Sequence, residues 1–307
     1  MRVAVIGGTG FVGGYIVDEL LAHGHEPALL VRKGSSARLR QADRCRLVEG
    51  DLDSPAAIRD TVENADAVIY LVGILRERPA QGITFERLQY RGVVDTLAAA
   101  AASGVRRLVL MSANGVEARA TPYQDTKYRA EQAVAESGLD YTVFRPSVIF
   151  GDPQGRMEFA TQLCRDMVRP PLPAVAFRSR DAAGDGQIRM SPVHVEDVAA
   201  AFVAALDDAS LTGRTLVLAG PEVLTWSDML ERIGRAVGRQ KIVLPMPVRL
   251  MRLAASALDR FEFFPVTRDQ LTMLVQGNTG SPDAVREILG REPKPFSPEA
   301  LAYLAAG

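Results

Sequence analysis

Residues 2–13, RVAVIGGTGFVG, join an apolar strand to the start of a helical pattern through a glycine-rich turn. Gly7 permits the tight turn, Gly10 lets the backbone approach a pyrophosphate, and Gly13 lets the helix pack close to the strand. A helix that begins here offers unpaired N–H groups and the positive end of its dipole to phosphate oxygens. Because a strand precedes it and a helix follows it, the turn predicts a dinucleotide-binding loop; a glycine-rich turn with no ligand is the alternative.

Strand and helix patterns alternate through the first half of the chain. Apolar strand candidates lie at 3–6, 27–31, 46–49, 67–72, 107–111 and 141–144. Helical patterns lie between and after them, at 11–22, 54–62, 84–103 and 126–137. Strands that alternate with helices at this spacing form a parallel sheet with both faces covered. The sequence therefore predicts an α/β fold, with a doubly wound parallel Rossmann sheet as an NAD(P)-binding domain over residues 1–151.

The alternation changes after Gly151. A run of prolines interrupts residues 170–173, and the polar stretch 178–186 predicts a long loop. Further on, the patterns indicate helices at 195–206 and 225–237, a strand at 215–219 and an amphipathic helix at 247–260. We therefore expect residues 152–307 to form a smaller C-terminal α/β lobe for a substrate or partner, partly interleaved with the sheet.

Composition excludes several classes of protein. With 47% hydrophobic residues, 24% charged residues and a net charge of -1, no nucleic acid is expected as a partner. Two cysteines and three histidines cannot supply a disulfide framework or a histidine-based metal centre, so no metal is expected. No apolar run reaches the roughly 18 residues of a spanning helix, and a strand pattern follows Met1 directly. We therefore expect no targeting segment and a cytoplasmic location.

The end of the second predicted strand distinguishes between cofactors. About 20 residues beyond the glycine turn, NAD-binding proteins place an acidic residue on the ribose 2′-hydroxyl. Here that place holds Arg32, followed by Lys33. A guanidinium pairs with a 2′-phosphate, whereas a carboxylate repels it. NADP(H) is therefore the preferred cofactor and NAD(H) the alternative, unless Arg32 is only a solvated strand end.

Asp51 follows the third predicted strand, at the carboxyl edge where open parallel sheets bind ligands. Its carboxylate can accept a hydrogen bond from the amino group of adenine. An aspartate that only caps a helix or stabilises a turn is equally consistent with this position.

Tyr123 and Lys127 are four residues apart, so a helix would present them on one face. A nearby ammonium stabilises a phenolate and lowers the pKa of the tyrosine. The tyrosine can then exchange a proton with a carbonyl or alcohol while hydride moves to or from a nicotinamide. The lysine can also hold the hydroxyls of the ribose. The pair therefore indicates an oxidoreductase.

With the segments 144–151 (FRPSVIFG) and 192–199 (PVHVEDVA), these motifs resemble the extended short-chain dehydrogenase/reductase, or epimerase/dehydratase-like, family. Within it the chain is similar to the branch of the NADPH-binding 39 kDa accessory subunit of respiratory complex I and its bacterial relatives. Residues 265–271 (PVTRDQL) strengthen that similarity. The resemblance implies that Tyr123 transfers the proton, that Lys127 activates Tyr123 and that Ser112 orients the substrate oxygen. The residues expected to hold the cofactor are Gly7, Thr9, Gly10, Phe11, Val12, Gly13, Arg32, Lys33, Asp51, Leu52, Gly73, Lys127 and Pro146.

The chain also departs from the family pattern. The usual serine position can correspond to Ala113 rather than Ser112, Gln89 replaces an asparagine, and no asparagine lies near Val148 as in nucleotide-sugar epimerases. Three functions follow. The first is an NADP(H)-dependent oxidoreductase of a carbonyl, alcohol or quinone-like substrate. The second is a non-catalytic NADPH-binding accessory or assembly subunit of a respiratory-type complex. The third, a nucleotide-sugar epimerase or dehydratase, is disfavoured by the missing asparagine.

The amphipathic pattern at 247–260 places Arg249, Arg252 and Arg260 on one side, and Phe261, Phe263 and Phe264 follow it. The simplest interpretation is a helix whose apolar side packs on the small lobe. The alternative is an aromatic segment that admits an apolar substrate, such as a quinone or lipid, or that docks on a membrane-associated complex.

Overall fold

The computed structural model describes residues 1–179, 185–249 and 268–305. In chain order the elements are β1 (Arg2–Ile6), α1 (Phe11–Ala22), β2 (Glu26–Val31), β3 (Arg46–Glu49), α2 (Pro55–Val62), β4 (Ala67–Tyr70), α3 (Gly92–Ala102), β5 (Arg107–Met111), α4 (Pro122–Ala135), β6 (Asp140–Pro146), β7 (Ile149–Phe150), α5 (Phe159–Leu163), β8 (Ala174–Arg178), β9 (Arg189–Met190), β10 (Val193–His194), α6 (Val195–Asp207), β11 (Arg214–Leu218), β12 (Leu224–Thr225), α7 (Trp226–Ala236), β13 (Val243–Pro247), α8 (Arg268–Gln276) and α9 (Asp283–Leu289).

Seven strands form the central sheet in the order β11-β6-β5-β4-β1-β2-β3. The five ladders that join β6, β5, β4, β1, β2 and β3 are parallel. This confirms the predicted α/β fold with a doubly wound parallel sheet. The chain passes from β1 to β2 on one side and later places β4 on the other side of β1. The glycine turn after β1 therefore lies at the switch point where such sheets bind ligands.

Helix starts depend on local capping. Ser54 accepts a hydrogen bond from the amide of Ala57 and caps α2 as predicted, with Pro55 in the first turn. The start of α4 was predicted at residue 126, but the helix begins four residues earlier. Thr121 and Gln124 form a capping box there, with Pro122 at the first helical position. Because of this earlier start, Tyr123 lies in the first turn of α4.

The segment predicted as one helix over 84–103 is two elements. A π-helix, Glu86–Arg91, runs directly into α3. Gln89 is buried within it and donates from its side-chain amide to the carbonyl of Ile74, at 2.9 Å. The hydroxyl of Tyr70, at the end of β4, donates to the carbonyl of Leu88, at 2.6 Å. These buried contacts favour the wider π-turn, an element that is common at functional sites.

The chain divides into two compact units, Met1–Pro146 with Val195–Leu216, and Ser147–His194 with Val217–Gly307. The first unit therefore takes in α6, which packs against α1 and which the sequence assigned to the smaller lobe. In the second unit, the pairs β7/β10, β9/β12 and β8/β13 form three two-stranded sheets. The domain boundary between residues 151 and 152 stays a prediction.

Some sequence-based predictions fall on residues outside the described part. These are Phe261, Phe263 and Phe264, most of the predicted helix at 247–260, and the centre of the loop at 178–186. Within the described part, the predicted start of that helix, Pro247, is the last residue of strand β13.

Candidate cofactor and catalytic site

The three glycines of the turn after β1 have different surroundings. Gly7 has a φ of +99°, a backbone conformation in which a residue with a side chain would be strained. A methyl group at Gly13 would overlap the carbonyl of Gly7 and lie 2.8 Å from the backbone of Gly8. A methyl group at Gly10 would meet only the carbonyl of Gly7, at 3.3 Å. Gly13 therefore permits helix packing, whereas Gly10 keeps an open face on which a ligand can lie.

A cavity of about 530 Å³ adjoins this turn, within the size range of small-molecule sites. It follows the carboxyl edge of the sheet past the ends of β3, β2, β1 and β4. Seven of the predicted cofactor residues line it: Gly7, Thr9, Gly10, Arg32, Asp51, Leu52 and Gly73. The cavity and the open face of Gly10 fit a dinucleotide laid across the switch point.

Basic side chains lie at the β2 end of the cavity. Arg32 is exposed, lines the cavity, and its guanidinium has no hydrogen bond or ion pair within the described residues. Arg38, on the short helix Ser35–Arg38, lines the same cavity. Lys33 is exposed but is not part of the lining. The cavity therefore has an unpaired guanidinium at its β2 end.

Asp51 lines the cavity and also stabilises a turn. One of its carboxylate oxygens accepts a hydrogen bond from the amide of Asp53, at 2.9 Å. The other oxygen has no hydrogen bond within the described part of the chain. The turn role is therefore observed, and one oxygen remains available for an adenine amino group.

The segment 74–88, called the strap below, also borders the cavity and was not predicted. Its lining residues are Ile74, Gln81, Ile83, Arg87 and Leu88. Arg87 forms a two-pronged ion pair with Asp53 and donates to the carbonyl of Gly82, at 2.6 Å. No motif marks these residues in the sequence, since the two charges of the pair are 34 positions apart.

Lys127 lies deep in α4, only 4% exposed. Its Nζ donates to the carbonyl of Met111 at 2.9 Å, and a methyl group at Gly73 would lie 3.3 Å from it. Gly73 thus separates the cavity from the lysine. Burial lowers the pKa of Lys127 to about 8, against the opposing effect of the Glu131 carboxylate. The ammonium is therefore mostly protonated at neutral pH but deprotonates in mild alkali.

Ser112 follows Met111 at the end of β5. Its Oγ is buried and has no hydrogen-bond partner within the described residues, while its amide donates to the carbonyl of Phe144. A buried hydroxyl without a partner is costly, which favours a ligand as the missing partner.

Tyr123 is half-buried and packs edge-on against the ring of Phe85, with ring centroids 5.7 Å apart. Its hydroxyl makes no hydrogen bond to any described residue. Burial raises the pKa of Tyr123 to about 12, opposite to the lowering expected from the sequence. Burial has this effect because a buried phenolate loses its stabilisation by water.

The other predicted residues do not line the cavity. Phe11 packs against the ring of Tyr15, Val12 is buried in α1, and the carbonyl of buried Pro146 accepts from the amide of Asn114 at 3.0 Å. Ser112, Tyr123 and Lys127 are not among the lining residues, and of these three Lys127 lies next to Gly73. Their contact with a cofactor stays a prediction.

Gln89 connects the strap to α4. Its side-chain oxygen accepts from the hydroxyl of Thr126 at 3.0 Å, and its amide donates to Ile74. The residue that replaces the family's asparagine therefore joins the segment beside the cavity to the helix that carries Lys127.

No group of three or more His, Cys, Asp or Glu side chains among the described residues is arranged to hold a metal ion. No helix in this part of the chain combines the length and apolar character needed to cross a membrane.

Comparison with known proteins agrees with this geometry. The NAD(P)H-binding family model matches residues 7–166, which cover the glycine turn, the strap and the Tyr123/Lys127 helix. The chain belongs to the NAD(P)H-binding family. The nucleotide class that this family binds is therefore NAD(P)H.

The curated relatives include a reductase and a subunit of a larger oxidoreductase. A chloroplastic divinyl chlorophyllide a 8-vinyl-reductase of Oryza sativa subsp. indica is 29% identical over 87% of this chain and 66% of that protein. The mitochondrial NADH-ubiquinone oxidoreductase 40 kDa subunit of Neurospora crassa is 24% identical over 98% of this chain and 78% of its own. The chain thus spans slightly less than two thirds of the rice reductase, 66%.

Among solved structures, the crystal structure of gox2253 has a TM-score of 0.79 with 23% identity, covering 100% of this chain and 97% of that one. At this identity the similarity establishes the fold alone.

Proposed function

We propose that the protein is an NADP(H)-dependent oxidoreductase that reduces a carbonyl or quinone-like substrate or oxidises the corresponding alcohol. The main support for this proposal is the position of the cavity relative to Lys127. The cavity runs from the open face of Gly10 to Gly73, and the ammonium of Lys127 lies directly behind Gly73. A dinucleotide bound along this edge would bring its nicotinamide half toward the side chains that can transfer a proton.

Each part of the cofactor has a partner in this chain. Amides at the start of α1 would bind the pyrophosphate, and Arg32 would pair with the 2′-phosphate. The second oxygen of Asp51 would accept from the adenine amino group. Lys127, which uses only one of its three protons on Met111, would hold the ribose hydroxyls.

The bound nicotinamide would supply or accept hydride. The protein itself supplies the proton. With a pKa of about 12, Tyr123 is protonated at neutral pH, so it would donate to the oxygen of a carbonyl substrate. The unpaired Oγ of Ser112 would hold that same oxygen in place. The Lys127 ammonium would stabilise the phenolate that remains after proton donation. Because Tyr123 is protonated at neutral pH, the site favours reduction of the substrate.

Direct titration tests the proposal. NADPH and NADH are added separately to the purified protein, with fluorescence or calorimetry as the readout, and turnover is then measured across panels of carbonyls, quinones and alcohols. We expect tighter binding of NADPH and oxidation of NADPH by at least one substrate class. Equal or tighter binding of NADH would contradict the cofactor assignment.

The similarity to the Neurospora crassa 40 kDa subunit favours a second function. A nucleotide that binds only the folded chain stabilises it, so NADPH can serve as a structural ligand of an accessory subunit. NADPH would then raise the melting temperature without turnover on any panel. The third function inferred from the sequence, a nucleotide-sugar epimerase or dehydratase, has no observation in its favour at the site.

A further inference from the structure

An unusual apolar surface lies in the second unit, on the parallel pair β8/β13. The pair is in register from Val243 opposite Ala174 to Pro247 opposite Arg178. The carbonyl of Ile242 extends the ladder by accepting from the amide of Ala174, at 2.9 Å. Ile242 and Leu244 lie on either side of Val243, at the start of β13. Leu172 lies just before β8, where its carbonyl accepts from the side chain of Lys241, and Leu172, Ile242 and Leu244 are called the aliphatic face below.

The aliphatic face is strongly exposed. Leu172 and Ile242 are each 71% exposed, more than any other large hydrophobic residue in the described part, and Leu244 is 49% exposed. Neighbouring Val243 and Met246 instead pack against the core of the unit. Single exposed aliphatics are ordinary, but three at the same end of one strand pair indicate a surface that contacts something.

The surroundings of this face are basic. The flanking segments 167–178 and 236–249 contain no acidic residue, although the whole chain has a net charge of -1. Their basic residues are Arg169, Arg178, Arg239, Lys241 and Arg249. Lys241 donates from Nζ to the carbonyl of Leu172 at 2.6 Å, and Arg239 donates to the carbonyl of Arg169. The cation of Lys241 is therefore held beside the aliphatic face.

We propose that the aliphatic face docks on an anionic lipid bilayer. Leu172, Ile242 and Leu244 would enter the boundary between headgroups and acyl chains, while the surrounding cations pair with lipid phosphates. This surface is separate from the cofactor cavity, which belongs to the first unit, so the inference does not depend on the proposed function.

Two other occupants fit the surface less well. A strand of a partner protein would need N–H donors along β13, but Pro245 and Pro247 have none. A second copy of the chain would bring two basic surfaces together, which like-charge repulsion disfavours. An anionic bilayer matches both the apolar and the charged part of the surface.

Vesicle flotation tests the proposal with the full-length protein. The vesicles contain phosphatidylglycerol and phosphatidylcholine, or phosphatidylcholine alone. We expect wild type to float with the anionic vesicles only, and high salt to release much of it because screening weakens phosphate contacts. The variant Leu172→Ser/Ile242→Ser/Leu244→Ser should bind the anionic vesicles at least about tenfold more weakly than wild type.

A matched control is Leu75→Ser/Val223→Ser, which removes two aliphatics that are 61% and 56% exposed elsewhere. It should float like wild type, and circular dichroism checks that both variants are folded. The proposal is overturned if wild type fails to float at low salt, or if the triple variant floats equally well. It is also overturned if the triple substitution converts a dimer to a monomer while flotation stays absent.

Discussion

The guanidinium of Arg87 lies in two-pronged contact with the carboxylate of Asp53, which joins the strap to the turn after β3. Both segments border the cofactor cavity, and Arg87 itself is part of the lining. The same guanidinium donates to the carbonyl of Gly82 and so fixes the tip of the strap. The ion pair therefore connects two borders of the nucleotide cavity.

Replacement of Arg87 by alanine should weaken NADPH binding by about three- to tenfold and speed its release. Surface ion pairs contribute little to stability, so the free energy of unfolding should change by less than about 1 kcal/mol. Stopped-flow displacement measures the release rate. Arg232→Ala is the control, because it breaks a similar fork with Glu222 away from both the strap and the cavity. The exchanged pair Asp53→Arg/Arg87→Asp should restore slow release, and unchanged release from Arg87→Ala would show that the strap does not retain the nucleotide.

Arg32→Asp should lower NADPH affinity by roughly ten- to a hundredfold, because a charge-assisted contact of about 1.5–3 kcal/mol is lost. NADH affinity should stay equal or rise, since the new carboxylate can accept from a 2′-hydroxyl. Calorimetric titration of both nucleotides gives the two affinities. Lys33→Asp is a matched control because Lys33 is the neighbouring cation outside the cavity lining. Equal losses of NADPH affinity in the two variants would point to a general effect of charge rather than to a 2′-phosphate contact.

Two glycine substitutions should separate folding from binding. Gly13→Ala should destabilise the protein by about 1–3 kcal/mol, because its methyl group overlaps backbone atoms that cannot move away easily. Gly10→Val should leave a folded protein that no longer binds nucleotide, since its side chain would occupy the open face. Urea denaturation and nucleotide titration distinguish the two effects. Normal cofactor affinity in Gly10→Val would exclude this loop as the pyrophosphate site.

The sheet was predictable because strand and helix periods are local properties of the sequence. Predicted strand 46–49 matches β3, and predicted helix 11–22 matches α1. The start of α4 was missed because the prediction followed hydrophobic period, although Thr121, Pro122 and Gln124 carry the sequence signature of a capping box. The π-helix was missed because its wider turn depends on tertiary contacts with Tyr70 and Ile74.

The site was partly predictable for a related reason. The glycine turn, Arg32 and Asp51 occupy fixed distances from strands, so sequence spacing places them at the cavity. The strap has no such spacing, since Arg87 finds Asp53 only after the sheet has formed. The pKa of Tyr123 also depends on burial by distant residues, which the four-residue spacing to Lys127 does not reveal.

Tyr123→Phe should reduce turnover by at least about a hundredfold with little change in NADPH affinity, because only the proton donor is removed. The substitution should be neutral or slightly stabilising, since the hydroxyl has no partner among the described residues. Steady-state kinetics on the best substrate of the panels provides the measurement. Ser112→Ala should lower turnover less and raise KM, as expected for a group that orients the substrate oxygen. Near-normal turnover in Tyr123→Phe would remove Tyr123 as the proton donor.

Lys127→Met should reveal the cost of burying the ammonium. Burial lowers the pKa of Lys127 from 10.5 to about 8, so between these values the unfolded chain binds more protons than the folded chain. The contribution of Lys127 to the free energy of unfolding therefore rises with pH across this window, by up to about 1 kcal/mol per pH unit. Below pH 8 the full cost is present, and Lys127→Met should be more stable than wild type despite losing the bond to Met111. Urea denaturation at several pH values between 7 and 10 should show this advantage nearly constant up to about pH 8 and shrinking above it. The difference in unfolding free energy between wild type and Lys127→Met cancels the titration of other groups. Curves of unfolding free energy against pH that stay parallel over that range would mean that Lys127 is not a buried ammonium. NADPH affinity should fall in the same variant, because the group that destabilises the free protein is the one that would hold the ribose.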